Sequence, residues 1–426
     1  MSNAESTNSP NTILIVGGGI SGITAAVEAA EVGHEVFLIE KNPYLGGRVA
    51  RANQYFPKLC SPYCGLEINF RRIRQNPRIK VFTLAELENI SGKEGDYEVA
   101  LSLAPSLVNN NCTACGKCIE VCPVERPNDF NFGLDKTKAI YLPHPMAFPM
   151  KYVVDREACL GVECSKCVSV CPYDAIDLGM SSRSLAMKVG AVVLATGWQP
   201  YDATRLDNLG FGKFPNVITN VMMERLAATN GPTQGRIVRP SDGKEVNNIA
   251  FVQCAGSRDE NHLPYCSGVC CLGSLKQVTY VKEQNPEAKV SIFYIDIRAL
   301  GALEDFYLRV QGYENLSLVK GKVAKIEEDP ETRDLTVEAD DTASGRKARE
   351  KVEMVVLATG IVPTTTETRI PAEITYDDYG FIASALPGIY AAGCSKRPAD
   401  VATSVQDATG AALKAIQSIV RGAANG

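Results

Sequence analysis

Histidine is scarce in this chain: His34, His144 and His262 are the three among 426 residues. No Ser-His-Asp arrangement and no paired-carboxylate signal accompanies them, so hydrolytic acid–base chemistry has no visible constellation. A basic excess is also lacking. Lys and Arg number 44 against 49 Asp and Glu, a formal charge of −5, which argues against a nucleic-acid surface. No apolar run approaches the ~20 residues that a bilayer span requires, so no direct membrane span is expected. The opening stretch, Met1 to Asn11, has neither the basic start nor the apolar core of a secretory leader. Disorder, collagen and a small secreted scaffold are disfavoured, and a cytoplasmic location is expected. At this length, and with 45% hydrophobic residues, the chain can hold about two to three domains and a sizeable core.

What the sequence has in excess is cysteine, 15 residues in all. In a reducing compartment, clustered thiols are more often metal ligands or redox groups than disulfides. Cys60 and Cys64 form a Cys-x3-Cys pair, eight cysteines fall between positions 112 and 171, four follow at Cys254, Cys266, Cys270 and Cys271, and Cys394 stands alone. The eight give the strongest signal. Cys112-x2-Cys115-x2-Cys118-x3-Cys122-Pro123 is the bacterial ferredoxin run, in which three cysteines hold one [4Fe–4S] cluster and the fourth ligates the other. Its partner reads Cys159-x4-Cys164-x2-Cys167-x3-Cys171-Pro172. The expected assignment crosses over. Cys112, Cys115, Cys118 and Cys171 take one cluster; Cys159, Cys164, Cys167 and Cys122 take the other. The rival ligand is zinc, which usually takes two separated Cys-x2-Cys knuckles. Two departures stand out: x4 where x2 is usual after Cys159, and the long separation from Pro123 to Ala158.

Ahead of this region, Thr12-Ile-Leu-Ile-Val16 is a short β-branched apolar run that predicts a buried parallel strand. It leads into Gly17-Gly18-Gly19-Ile20-Ser21-Gly22, an Ala-rich helix from Ile20 to Val32, and a second strand, Glu35 to Ile39, ending in Glu40. In that context the glycines form a dinucleotide-binding fingerprint. Gly17 allows the tight turn, Gly19 the approach of a pyrophosphate, and Gly22 close helix–strand packing. Glu40, with Lys41 beside it, is placed to accept the ribose hydroxyls. Gly46-Gly47-Arg48 and the strand ends Ala195-Thr196-Gly197 and Ala358-Thr359-Gly360 resemble two-domain flavoproteins of the thioredoxin reductase type. That resemblance implies FAD, with the strand near Val81 meeting the adenine and Gly388 to Gly393 passing under the ribityl chain. Where such flavoproteins carry Asp after that glycine, this chain has Cys394, leaving Asp400 or backbone groups as substitutes; the alternative for Cys394 is plain packing.

The same resemblance implies a second, smaller Rossmann domain, beginning with Asn248 to Val252 and continuing with the strand Val290 to Ile295. Where its glycines should stand, the chain reads Gln253-Cys254-Ala-Gly-Ser-Arg258-Asp259 and then Tyr265-Cys266-Ser-Gly-Val-Cys270-Cys271. A turn without closely spaced glycines does not hold a pyrophosphate in the usual way, so no NAD(P)H site is expected. Four thiolates occupy that place. A third iron–sulfur cluster of distorted geometry is the first reading; a redox disulfide and buried structural cysteines are the alternatives.

Gln253-Cys254-x-Gly256-Ser257-Arg258-Asp259 with Cys266-x3-Cys270-Cys271, Phe56-Pro57 with Cys60 and Cys64, and Pro123 to Asn131 resemble the A subunit of heterodisulfide reductases over nearly the whole chain. The compact form, with Gly46-Gly47-Arg48 and Cys60 to Phe70, looks most like the A subunit of quinone-interacting membrane-bound oxidoreductases. That resemblance implies two partners, a second flavoprotein subunit together with a haem-containing membrane subunit. It further implies membrane association through them, and electron exchange between the quinone pool and adenylylsulfate reductase in sulfate reduction. It also implies that Lys276 lies near the flavin, where a cation would favour the reduced anion; a solvated helix lysine is the alternative. Cys60 and Cys64 are a candidate dithiol or plain loop residues. The acidic run from Glu327 to Glu331, with Arg333 and Asp334, predicts a solvated hairpin. Tyr141 to Met150 is expected to cover the clusters or meet a partner.

The fold expected is α/β, a thioredoxin-reductase-like two-Rossmann flavoprotein with an inserted two-cluster (α+β) ferredoxin domain. Its segments are the FAD domain over 1–108, the insert over 109–180, an FAD-domain return over 181–240, the second Rossmann-like domain over 241–363, and the end of the FAD domain over 364–426. The function expected is that of an oxidoreductase subunit transferring electrons through FAD and iron–sulfur centres. Three assignments compete: the quinone-linked complex, a heterodisulfide-reductase-type flavin-bifurcating subunit serving a soluble hydrogenase or formate dehydrogenase, and a non-catalytic assembly scaffold.

Overall fold

A computed structural model describes residues 11–424. Residues 1–10, the polar opening, lie outside the described residues. Thr12–Val16 is the middle strand of a five-stranded parallel sheet in the order Ile389–Ala391, Ala191–Leu194, Thr12–Val16, Glu35–Glu40, Ile79–Thr83. Every residue of that strand is buried, because both faces of the sheet are covered. Ile13 and Ile15 pack with Ile23 and Ala26 of the helix Ile20–Glu31 and with Ala408, Ala412 and Ala415 of the final helix, Val401–Ala424. Leu14 and Val16 face the other way, toward Val99, Leu101, Met187 and Val189. Those residues belong to a three-stranded antiparallel sheet of Ala85–Lys93, Asp96–Leu103 and Arg183–Val189.

The insert hangs from the open end of that antiparallel pair, where Arg183 stands opposite Leu103. Two five-residue helices, Lys117–Val121 and Lys166–Val170, pack around a small core that includes Leu107, Val108, Ile140, Val154 and Ile176. The stretch from Tyr141 to Met150, expected to cover the clusters or meet a partner, touches this core through Leu142. Farther along it lies on the FAD domain. Leu45 donates its N–H to the Phe148 carbonyl at 2.9 Å, and Phe148 stacks on Phe70 at 5.0 Å.

A second parallel sheet runs Val217–Thr219, Met354–Thr359, Asn248–Ala255, Lys289–Tyr294, Leu316–Lys320. Its first strand and the following helix, Asn220–Ala227, lie in the segment read above as a return to the FAD domain, so this domain begins before residue 217 rather than at 241. A three-residue strand carries too little pattern to reveal its sheet. The acidic run forms the expected hairpin between Val323–Glu328 and Leu335–Asp341, and Asp334 pairs with Arg239 at 3.0 Å. Buried polar contacts fasten the second domain to the first. Glu224 accepts the Asn53 N–H at 3.0 Å, and the fully buried Arg225 donates to the Arg51 carbonyl at 3.3 Å and to Asn131 Oδ1 at 2.8 Å. Among the described residues no helix is long and apolar enough to cross a membrane.

Candidate redox site

The C-terminal edge of the first sheet opens into a cavity of about 1710 Å³, partly open to solvent, where α/β folds bind dinucleotides. Gly17 turns the chain there with φ +109°, and a Cβ on it would lie 2.2 Å from the Ala195 carbonyl oxygen. A Cβ at Gly22 would lie 1.8 Å from the Gly17 carbonyl oxygen, so Gly22 serves packing and does not reach the cavity wall. Gly19 and Gly47 meet backbone to backbone at the cavity wall, where a Cβ on Gly47 would lie 2.9 Å from the Gly19 Cα. No side chain caps the first turn of the helix at Ile20, which leaves its N–H groups for an anion. Glu40 is buried at the cavity floor. Its Oε2 accepts the Gly18 N–H at 2.7 Å, and its Oε1 accepts the Asn42 N–H at 2.8 Å. Burial raises its pKa, and these hydrogen bonds counter the rise. Lys41, Arg48, Ala195, Thr196, Gly197, Cys394 and Asp400 also line the space. The Thr196 hydroxyl is buried there without a partner. An orphaned hydroxyl beside uncapped N–H groups and a glycine-lined opening fits a dinucleotide such as FAD.

Three residues stand elsewhere than the sequence suggested. Val81 pairs with Leu38 inside the sheet, and Ala85, Glu86 and Leu87, just beyond that strand, reach the wall instead. Gly393 lies behind Cys394 and donates its N–H to Asp407 Oδ2 at 2.7 Å, a carboxylate that sequence reasoning missed. Lys276 is not a cavity residue. Its ammonium is 3.0 Å from Glu224 Oε1 and also bonds the Gln54 carbonyl, so its charge is spent in a buried ion pair. Cys394 is buried, with its thiol 3.4 Å from the Ala399 carbonyl; burial pushes its pKa up. Cys60 bridges to Tyr55, and Cys64 is exposed on the helix Pro62–Gln75; neither lines the cavity.

The eight insert cysteines divide around two separate spaces. Cys112, Cys115, Cys118 and Cys171 border one, and Cys122, Cys159, Cys164 and Cys167 border the other. The short helices and the loops before them bring three thiols to each space, and the far run supplies the fourth. Burial and the nearby Cys112 push the Cys118 thiol up to about 12. Backbone N–H groups point at sulfur: Ala114 at Cys112, Gly161 at Cys159 and Ala175 at Cys171, each at 3.4 Å. Such donors are one of the means by which a protein sets a cluster's potential. Thiols that ring a space and already receive amide donors fit an iron–sulfur cluster.

In the second domain, the strand that starts at Asn248 bulges after Val252, and Cys254 takes φ +55°. The bulge turns Cys254 toward Cys270 and Cys271, the first two residues of the helix Cys270–Gln284, with Cys266 in the loop before them. The four thiols feel one another's charge, and burial together with Cys271 pushes Cys254 up to about 11. Arg258 and Arg298 stand beside them, both paired with Asp296. Among the described residues no three His, Cys, Asp or Glu side chains gather tightly enough to hold a single metal ion.

Residues 12–67 match the model of the FAD dependent oxidoreductase family, and residues 111–176 match that of the 4Fe-4S dicluster domain. The chain is 35% identical over 424 residues to the A subunit of the H(2):CoB-CoM heterodisulfide,ferredoxin reductase of Methanothermobacter thermautotrophicus. It is 39% identical over 424 residues to the second of two iron-sulfur A subunits of the CoB--CoM heterodisulfide reductase of Methanopyrus kandleri. Both alignments cover 96% of this chain and 64% of the relative. Against the A subunit of the Ferredoxin:CoB-CoM heterodisulfide reductase of Methanosarcina mazei it is 35% identical, covering 98% of this chain and 54% of the relative. The chain thus spans less than two thirds of the length of these relatives. Among solved structures, the thioredoxin reductases of T. acidophilum and Lactococcus lactis each superpose with a TM-score of 0.54, at 14% and 13% identity, over 96% of this chain and 99% of theirs. The chain therefore has a thioredoxin-reductase-like FAD-oxidoreductase fold with a 4Fe-4S dicluster domain, and along nearly its whole length it is similar to heterodisulfide reductase A subunits.

Proposed function

We propose that this chain is an electron-transfer subunit of heterodisulfide reductase A type, holding FAD and iron–sulfur clusters and working inside a multi-subunit assembly. The observation that carries this reading is one chain with a dinucleotide cavity and two thiol-ringed spaces, homologous over 96% of its length to such A subunits. Bound FAD exchanges electrons in pairs and four-iron clusters exchange them singly. The chain's own residues hold and insulate these centres. The glycine turn and the uncapped helix start receive the pyrophosphate, Glu40 takes the ribose hydroxyls, and Thr196 and Asp400 offer polar contacts along the wall. The crossed cysteine sets hold the two insert clusters, and Cys254, Cys266, Cys270 and Cys271 hold a third. Partners of soluble hydrogenase or formate dehydrogenase type suit this reading.

A second reading keeps the quinone-linked membrane complex, with a haem subunit, a second flavoprotein and adenylylsulfate reductase as partners. It rests on the likeness of Gly46-Gly47-Arg48 and Cys60 to Phe70 noted above. Anaerobic purification with flavin and iron assays tests the cofactors. Roughly twelve irons per flavin support three four-iron clusters, and roughly eight remove the one in the second domain. A colourless chain overturns the redox reading and leaves the scaffold. Affinity capture of the tagged chain then separates the partners: a soluble hydrogenase or formate dehydrogenase supports the first reading, a haem membrane protein the second.

A further inference from the structure

With Lys276 tied to Glu224, the positive charge on the cavity wall comes from elsewhere. Arg48 lines the cavity one residue after Gly47. Its guanidinium lies over two rings, 5.7 Å from the centroid of Trp198 and 5.9 Å from that of Phe132. Its Nε donates to the Trp198 carbonyl at 3.1 Å. Among the described residues it has no carboxylate partner, and neither Nη makes a hydrogen bond to protein. Arg51, also on the wall, is engaged by the Tyr44 hydroxyl at 2.8 Å and by the Asp129 carbonyl at 3.0 Å, again without a carboxylate. Burial and the neighbouring Arg51 depress the Arg48 pKa to about 10.

A largely buried cation with a second cation one turn away, and neither with a carboxylate partner, is unfavourable unless a ligand supplies the negative charge. Both the flavin ring and the pyrophosphate of FAD could do so, but they differ in one respect. The pyrophosphate carries the same charge in both redox states. The flavin ring gains charge on reduction: oxidised flavin takes two electrons and one proton, the proton ends on N5, and the remaining negative charge spreads over N1 and the C2 oxygen. No bond to protein forms or breaks. The electrons come from the protein's iron–sulfur centres or, in a titration, from dithionite.

We propose that Arg48, lying over Trp198 and Phe132 with both Nη groups free, binds reduced anionic flavin more tightly than oxidised flavin and so raises the flavin's two-electron potential. This rests on the FAD reading above. A charge fixed near N1 is a known means of tuning a flavin, and it acts most strongly where water is excluded.

The test is a spectroelectrochemical titration of the full chain, purified anaerobically, as wild type, Arg48→Met and Arg48→Lys, with flavin and iron contents measured first. The expected result is retained FAD, unchanged iron, and a potential in Arg48→Met lower by at least the equivalent of a tenfold weaker preference for reduced flavin, about 30 mV. Arg48→Lys should fall by less, because an ammonium keeps the charge but loses the contact with the rings. An unchanged potential in FAD-loaded Arg48→Met overturns the proposal. If that variant binds no FAD, Arg48→Lys decides, because an equal loss of affinity for both redox states assigns the arginine to the pyrophosphate and overturns it too. Wild-type protein without FAD would refute the FAD reading itself.

Discussion

Buried ionisable side chains in this protein are of two kinds, those with a partner and those without. His144 belongs to the second kind. It is buried against Phe130, with ring centroids 4.6 Å apart, and neither ring nitrogen has a hydrogen-bond partner. Burial, and then the charges of Arg225 and Arg51, push its pKa down to about 3. The unfolded chain therefore takes up a proton below about pH 6.5 that the folded chain refuses. The stability is complete above that pH and is lost as the pH falls toward 3. Between pH 6.5 and 5.5 the loss should be about 1 kcal/mol. Unfolding of wild type and His144→Phe at those two pH values measures it: the gap between them should change by that amount, and a gap independent of pH refutes the assignment. Residue types in the glycine turn were legible in the sequence because their roles are local. Lys276 stands off the cavity because its partner, Glu224, is set by the element that packs opposite, and Val81 because strand register places it beside Leu38 within the sheet; sequence spacing carries no record of either.

At the scale of elements, the helix Cys270–Gln284 carries two tasks on one rod. Its first turn supplies Cys270 and Cys271, and its second presents Lys276 to Glu224 between the domains. Removing the ammonium alone leaves a buried carboxylate, so Lys276→Met should destabilise the protein by about 3–5 kcal/mol, and Lys276→Met with Glu224→Gln should recover much of that. Denaturant unfolding reads both, and the flavin potential of Lys276→Met should stay at the wild-type value. In the insert, each short helix serves both thiol-ringed spaces. Cys122 ends the run that begins at Cys112, yet it borders the space of Cys159, Cys164 and Cys167. Cys122→Ser should therefore remove about four irons and abolish the spectroscopic signal of that second cluster while sparing the first. Loss of the signal from the Cys112, Cys115 and Cys118 set instead would refute the crossed assignment. The sequence revealed Thr12–Val16 and the following helix almost to the residue, because a β-branched run and a glycine turn dictate local structure. It hid the strand Val217–Thr219 and the lie of Tyr141 to Met150, whose positions depend on distant surfaces such as Phe70.

For the molecule as a whole, the insert looks detachable by its attachment alone. Arg183 faces Leu103 across an antiparallel pair, roughly 5 Å apart, so a tight turn could join them. Its packing says otherwise. Phe130 and Ala147 are part of the FAD domain's core, and Asn131 receives the buried Arg225 of the second domain. Replacing residues 104–182 by a short turn should therefore cost flavin as well as iron; a variant with full flavin would mark the insert as an independent module. The parallel sheet has a consequence in time. Its middle strand, Thr12–Val16, leaves the ribosome before the insert, but its edge strand, Ile389–Ala391, and the cavity residue Asp400 emerge long after it. The eight insert cysteines emerge together, within residues 112–171. Every thiol that borders the two insert spaces is therefore made before the last wall of the flavin cavity. The insert's packing on Phe70 uses chain already made, whereas its packing on Arg225 waits on chain made later.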